Sequence, residues 1–144
     1  MILEILFIAL LLSLALNDLK CRRLPNAIVL ALACLGIYQV WVRDEIALAV
    51  SAGFVGFAIF YLTKVSFKKF RGVDGLGMGD VKLMGAVGLW VGFSGLPWVL
   101  FIGSFLTLLY AMLLKLLDRP LTSETRLPFG AFLCIALALV YFCH

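Results

Sequence analysis

Apolar residues along this chain fall in long unbroken runs. They show neither the alternation of half-buried strands nor the one-sided stripe of a soluble amphipathic helix. The runs are Met1–Leu16, Ala27–Val42, Ile46–Thr63, Val81–Leu117 and Leu127–Cys143. About 20 apolar residues suffice for a helix to cross a bilayer. The fourth run is too long for one crossing, and its middle reads Gly92-Phe93-Ser94-Gly95-Leu96-Pro97, strong turn punctuation. Divided there into Val81–Phe93 and Leu96–Leu117, the pattern predicts six transmembrane helices. The first of these two is short for a full crossing, so a tilted, shallow or partly re-entrant helix is expected. Transmembrane barrel strands would alternate residue by residue, and these runs do not. Small residues spaced four apart, Gly88 with Gly92, Ala49 with Gly53 and Ala52 with Gly56, suit close helix packing.

Composition strengthens this reading. Of 144 residues, 65% are hydrophobic and only 14% charged, with a mean hydropathy of +1.15. Soluble domains carry about a quarter charged residues, so a water-soluble globule is excluded, and the chain is too apolar for disorder. The expected fold is one all-α polytopic membrane domain over residues 1–144.

Charge then sets the orientation. Lys20, Arg22 and Arg23 follow the first apolar run. Lys64, Lys68, Lys69 and Arg71 follow the third, with Lys82 just beyond. Lys115, Arg119 and Arg126 surround the connection before the last run. Only Arg43 of the 12 basic residues falls on the other side, beside Asp44 and Glu45. The positive-inside rule makes the three basic loops cytoplasmic and puts both termini outside. The first run is not a cleavable signal, because its positive charges follow the apolar stretch instead of preceding it. The basic loop residues are expected to meet anionic lipid headgroups.

Other chemistry is sparse. Cys21, Cys34, Cys134 and Cys143 form no C-x-x-C pair, and the single histidine is His144. Neither a disulfide framework nor a metal site is expected. Gly75-x-Gly77-x-Gly79 is not a phosphate-binding loop: no strand precedes it, and the acid that ends it would repel phosphate. No cofactor and no nucleic-acid partner are expected.

Two acids stand out by position. Asp18 directly follows the first apolar run, and Asp80 directly precedes the fourth. Ionisable groups at the edge of an apolar span are costly to desolvate, which makes functional use the default expectation. Asp80 also suits a helix N-terminus, where an acid complements the dipole, whereas Asp18 would face the wrong pole of its own helix. Both lie at the predicted cytoplasmic edge. Two carboxyls held together share a proton, so one can draw a proton from water while the other polarises a scissile carbonyl. Gly77 and Gly79 would permit close backbone approach beside Asp80.

The stretch Gly77-Met78-Gly79-Asp80 resembles the G-x-G-D motif of intramembrane aspartyl proteases. From Asp74 through Asp80-Val81-Lys82-Leu83 to Gly88, the chain resembles bacterial type IV prepilin peptidases in particular. Asp18, followed by basic residues and Leu24-Pro25-Asn26, is similar to the site of that family's first catalytic aspartate. Leu127-Pro128-Phe129-Gly130 extends the similarity to the last helix, although many relatives have a further proline where Ala131 stands. The resemblance implies removal of prepilin leader peptides at the cytoplasmic face of the inner membrane, with Asp18 and Asp80 catalytic. Supporting or substrate-binding roles would fall to Gly77, Gly79, Asp74, Lys82, Pro25, Asn26, Pro128 and Gly130. The compact chain looks like the peptidases of tight-adherence (Flp) pilus systems. It lacks the paired C-x-x-C segment associated with N-methylation in longer relatives, so no methyltransferase activity is expected.

On their own chemistry, Lys82 is expected to snorkel to the interface and Asn26 to begin the second helix, with capping as its task. The alternative from another class is a small cation or proton transporter that uses membrane-edge carboxylates. It would need acids along a path through the bilayer.

Overall fold

The computed structural model describes residues 2–21, 23–72, 76–117 and 127–143. All regular structure among them is helical: α1 (Ile2–Cys21), α2 (Asn26–Val42), α3 (Ile46–Arg71), α4 (Met78–Leu116) and α5 (Phe129–Cys143). By length and composition α1, α3 and α4 can each cross a membrane, and α2 and α5 are shorter apolar helices. Large side chains such as Leu30, Phe54, Phe101, Leu108 and Met112 are exposed around the bundle. Such a surface suits lipid contact.

Several helices run past their apolar segments. α1 continues through Asn17-Asp18-Leu19-Lys20, so Asp18 sits inside its last turn and not after it. α3 continues to Arg71, with Lys68, Lys69 and Arg71 complementing the negative end of its dipole. It stops at Gly72, whose φ of 68° is the left-handed conformation that glycine adopts cheaply. α4 begins at Met78, which makes Asp80 its third residue instead of the residue before it.

The sequence predicted two helices between Val81 and Leu117, and α4 is likewise two helical arms that meet at a break at Gly92. The break is a fold-back. In the first arm, Asp80 lies beside Gly130 and Trp90 against Tyr141, so this arm runs alongside α5 in the same direction. In the second, Gly95 meets Val140, Gly103 meets Leu133 and Tyr110 meets Phe132, so the chain returns along α5. Gly92 carries the reversal at φ 63° and ψ −166°, a region essentially reserved for glycine. It therefore serves the turn and not the close packing expected of it with Gly88. Pro97 lies one turn into the second arm, where it gives up at most one helical hydrogen bond.

No atom comes within 4 Å of a Cβ added at Gly92, so the cost of a side chain there is purely conformational. We expect Gly92→Ala to destabilise the protein by about 1–3 kcal/mol. Thermal unfolding in detergent reads this directly, and an unchanged melting temperature contradicts the fold-back.

Small residues do bring α3 and the first arm of α4 together. A Cβ at Gly88 would stand 2.6 Å from backbone atoms of Ala52 and Gly53, and one at Gly53 or Gly56 would stand 2.9 Å from the carbonyl oxygens of Gly85 and Met84. Backbones this close gain dispersion contacts that side chains would prevent. Toward the far end, the rings of Phe7, Trp90 and Tyr141 pack together in tilted and edge-on contacts, and the Trp90 indole N–H donates to the Leu32 carbonyl at 2.9 Å. Gln39 Nε2 donates to the Tyr141 hydroxyl at 3.1 Å. This cluster ties α1, α2, α4 and α5 together. It fixes the direction in which each helix reaches the opposite end, where the two aspartates lie.

Candidate active site

That opposite end gathers the C-termini of α1 and α3 with the N-termini of α2, α4 and α5. The contacts that define it are Asp18 with Ala131, Lys82 with Asn26, and Lys64 with Met78. Lys20 in the last turn of α1 and Lys68, Lys69 and Arg71 in the last turn of α3 lie toward this end.

Asp18 is only 6% exposed. Its Oδ2 accepts a hydrogen bond from the backbone N–H of Ala131 at 2.8 Å. Ala131 is the third residue of α5, and N–H groups in a first turn have no partner inside their own helix. Asp18 thus lies at the wrong pole of α1 but at the favourable pole of α5. Position in the sequence reveals only the first of these. Asp80 is positioned by its own helix: its carboxyl accepts from the Gly77 N–H, the reach-back half of a capping box. Gly77, the N-cap at φ −68° and ψ 142°, offers no side-chain cap of its own.

Capping explains how each carboxyl is held, but not why the two converge. A Cβ built on Gly130 would stand 2.9 Å from Asp80 Oδ1 and 3.1 Å from Asp18 Oδ2. The two oxygens are therefore no farther apart than those distances laid end to end. Gly130 is itself buried, and the buried Pro128 precedes its helix. A carboxyl pair at this separation can hold one proton and one small molecule between its members.

The remaining predicted residues fall around this pair. Gly79 packs on Leu24, whose Cβ lies 2.8 Å from where a Gly79 Cβ would be. Pro25 is the N-cap of α2, and its carbonyl accepts from Ile28 and Val29 at 3.1 and 3.3 Å. Asn26 does begin α2 but does not cap it. Pro25 holds the cap position, and the Asn26 Oδ1 instead accepts from Lys82 Nζ at 3.1 Å. Lys82 in turn bridges α4 to α2 instead of reaching either aspartate. Asp74 lies outside the described residues.

Two residues have roles that the sequence did not assign to them. Ala131 acts through its backbone N–H, and Leu24 through bulk beside Gly79 and Gly130. Neither carries a polar side chain to mark it, although Leu24 does sit between the basic residues and Pro25. A cavity of about 680 Å³ at the far end, lined by Gln39, Arg43, Trp90 and Tyr141 among others, includes neither aspartate. Among the described residues no group of three or more His, Cys, Asp and Glu side chains could hold a metal ion.

Residues 5–112 match the sequence profile of the type IV leader peptidase family. The chain belongs to this family. It is 37% identical over 130 residues to a prepilin leader peptidase/N-methyltransferase of Pseudomonas putida, covering 88% of this chain and 44% of that protein. A protein of the same name from Aeromonas salmonicida is 32% identical over 128 residues, covering 88% of this chain and 44% of its own length. One from Burkholderia pseudomallei is 31% identical over 127 residues, covering 87% and 41%. This leader-peptidase family chain thus spans less than half the length of the curated relatives it matches. No solved structure matches it. The transporter alternative finds no support in these comparisons.

Proposed function

We propose that the protein is a membrane-embedded aspartyl endopeptidase that removes the leader peptide of type IV prepilins, of the Flp-like class, at the cytoplasmic face of the inner membrane. The observation that carries this reading is the convergence of Asp18 Oδ2 and Asp80 Oδ1 on Gly130. Membership of the leader peptidase family and the function named for the relatives support the substrate class.

In this reading one aspartate is ionised and the other protonated. The ionised carboxylate takes a proton from a water molecule as its oxygen attacks the scissile carbonyl carbon. The protonated partner donates to the carbonyl oxygen, and collapse of the tetrahedral intermediate passes a proton to the leaving amine. Gly77, Gly79 and Gly130 leave room for the substrate backbone. Pro128 and Pro25 set the starts of α5 and α2 around the site. Lys82 and Asn26 hold α4 against α2, and Asp74 attracts the basic part of a leader.

In this reading the chain has six spans, counting the two arms of α4 separately, with both termini outside and the basic loops in the cytoplasm. Residues 1–144 act as one peptidase unit, with Lys68, Lys69 and Arg71 against anionic headgroups. Peptide cleavage is the activity proposed. Co-expression with candidate prepilins, reading the product N-terminus by mass spectrometry, tests the reading. Prepilins that stay uncut beside the wild-type protein count against it.

A shared-proton pair has a pH signature. Below its working range both carboxyls are protonated and the base is lost, and above it both are ionised and the acid is lost. The rate of prepilin cleavage is expected to be bell-shaped in pH, with apparent values that belong to the pair. A profile with a single limb contradicts a two-carboxyl mechanism.

A further inference from the structure

The cavity at the end opposite the aspartates joins parts of unlike chemistry. Gln39 and Trp90 on its floor are buried, whereas Arg43, Glu45, Phe93 and Phe142 at its rim are exposed. Its volume of about 680 Å³ suits a small molecule and far exceeds the roughly 30 Å³ share of one water. Gln39 is only 7% exposed. Its Nε2 is committed to the Tyr141 hydroxyl, and its Oε1 accepts no hydrogen bond among the described residues. Buried polar atoms are nearly always satisfied, so a spare acceptor on a cavity-lining residue points to a donor from outside the chain. Trp90 and Tyr141 line the cavity with it, and aromatic surface of this kind attracts a cation. Arg43 is the one basic side chain in the lining, beside Glu4 and Glu45. Glu45, the N-cap of α3, makes no side-chain capping bond. The N–H groups of that first turn have no partners inside the helix, and such an end favours an anion. A second, apolar hollow of about 320 Å³ is lined by Trp98, Ile102, Leu139, Val140 and Cys143. It adjoins Phe142 along α5 and lies about a turn from Ser94 along the second arm of α4.

We propose that this cavity binds the headgroup of a zwitterionic phospholipid with a primary ammonium, taken from the leaflet opposite the aspartates. The phosphate lies against Arg43 and the first turn of α3. The ammonium points inward, to Gln39 Oε1 beside Trp90 and Tyr141, and an acyl chain passes Phe142 into the apolar hollow. A purely anionic headgroup brings no ammonium to Gln39 Oε1 and meets Glu4 and Glu45. A trimethylated ammonium has no N–H to give. The exposed Phe93, Phe142 and Leu48 at the rim favour a lipid over free phosphoethanolamine. Bound there, the lipid joins the turn between α2 and α3 to the break at Gly92, which also lines the cavity. The site uses neither aspartate and stands apart from the peptidase reading.

The test uses the full chain in detergent, titrated with dioleoyl phosphatidylethanolamine, phosphatidylcholine or phosphatidylglycerol, or with free phosphoethanolamine. Native mass spectrometry reads binding, and thermal unfolding reads the stabilisation that binding brings. The wild-type chain is expected to bind phosphatidylethanolamine about tenfold more tightly than either other lipid, and to bind phosphoethanolamine far more weakly. Arg43→Gln, at an exposed position, is expected to weaken phosphatidylethanolamine binding by about tenfold. Gln39→Leu removes the acceptor and is expected to abolish the preference for phosphatidylethanolamine over phosphatidylcholine. Tyr141→Phe breaks the same Gln39–Tyr141 bond but leaves Gln39 Oε1 in place, so it is expected to keep that preference. Its unfolding temperature also shows what losing that bond alone costs the fold. Equal binding of the three lipids, or an Arg43→Gln variant that binds like the wild type, overturns the proposal. Tighter binding of phosphatidylglycerol reduces the site to a general attraction for anions and also overturns it. Free phosphoethanolamine binding as tightly as the lipid overturns the lipid source, and no binding of any probe leaves the cavity to water and refutes a ligand site.

Discussion

Replacing Asp18 or Asp80 with asparagine is expected to slow prepilin cleavage by about 10²–10⁴ while leaving a folded, membrane-inserted protein. The substitution separates the two tasks each aspartate performs. The Asp18→Asn side chain keeps an oxygen to accept the Ala131 N–H, so the start of α5 stays satisfied. The Asp80→Asn side chain likewise keeps an acceptor for the Gly77 N–H at the start of α4. What is removed is the group that gives or takes a proton. If the carboxyls act as one unit, the double variant is expected to be no slower than either single one. Rates from product mass spectrometry, with thermal unfolding in detergent as the folding control, check this. A single variant that cuts at the wild-type rate removes that residue from the mechanism.

Gly130→Ala is expected to be nearly as damaging without touching an ionisable group. The new methyl would stand 2.9 Å from Asp80 Oδ1, 2.9 Å from the Leu24 Cδ1 and 3.1 Å from Asp18 Oδ2. It meets three groups at once, and helix geometry gives it no way to turn aside. Relief requires the carboxyls to separate or α5 to shift, and a displacement of about 1 Å in a reacting group costs on the order of 10²-fold in rate. Gly103→Ala is the matched control. Its methyl would meet mainly Leu133 Cδ2, at 3.1 Å, the flexible end of a side chain on the same helix α5. The control variant should keep its activity within a few-fold. Full activity in Gly130→Ala would mean that the carboxyls do not work across this point.

These expectations depend unevenly on what the sequence alone makes legible. The helical membrane architecture is legible because nothing but lipid suits such apolar runs. Asp18, Asp80, Gly77 and Gly79 are legible because acids at the edge of an apolar run are rare and the glycines stand beside one of them. The turn inside the fourth run is legible as a region, but not as a residue. Gly92, Gly95 and Pro97 all signal a turn, but proline is locked at negative φ, and only tertiary contacts choose which of the two glycines takes the positive φ. Helix ends are misjudged where polarity changes without any change in backbone. α1 runs on through Asp18 because its hydrogen-bond ladder does not need apolar side chains. Asn26 looks like a cap by residue type, but the helix already includes it and Pro25 stands at the cap. Ala131 and Leu24 are invisible for a different reason. One contributes a backbone N–H that every residue but proline has, and the other contributes only volume.

The central claim is that this chain alone hydrolyses a prepilin between the leader and the mature segment. Purified protein in liposomes, incubated with a purified prepilin and analysed by intact mass, tests it most directly. Two products are expected, with masses that sum to that of the precursor plus one water, formed by the wild-type chain and by neither Asp18→Asn nor Asp80→Asn. An intact precursor with the wild-type chain, or the same two products with either variant, contradicts it.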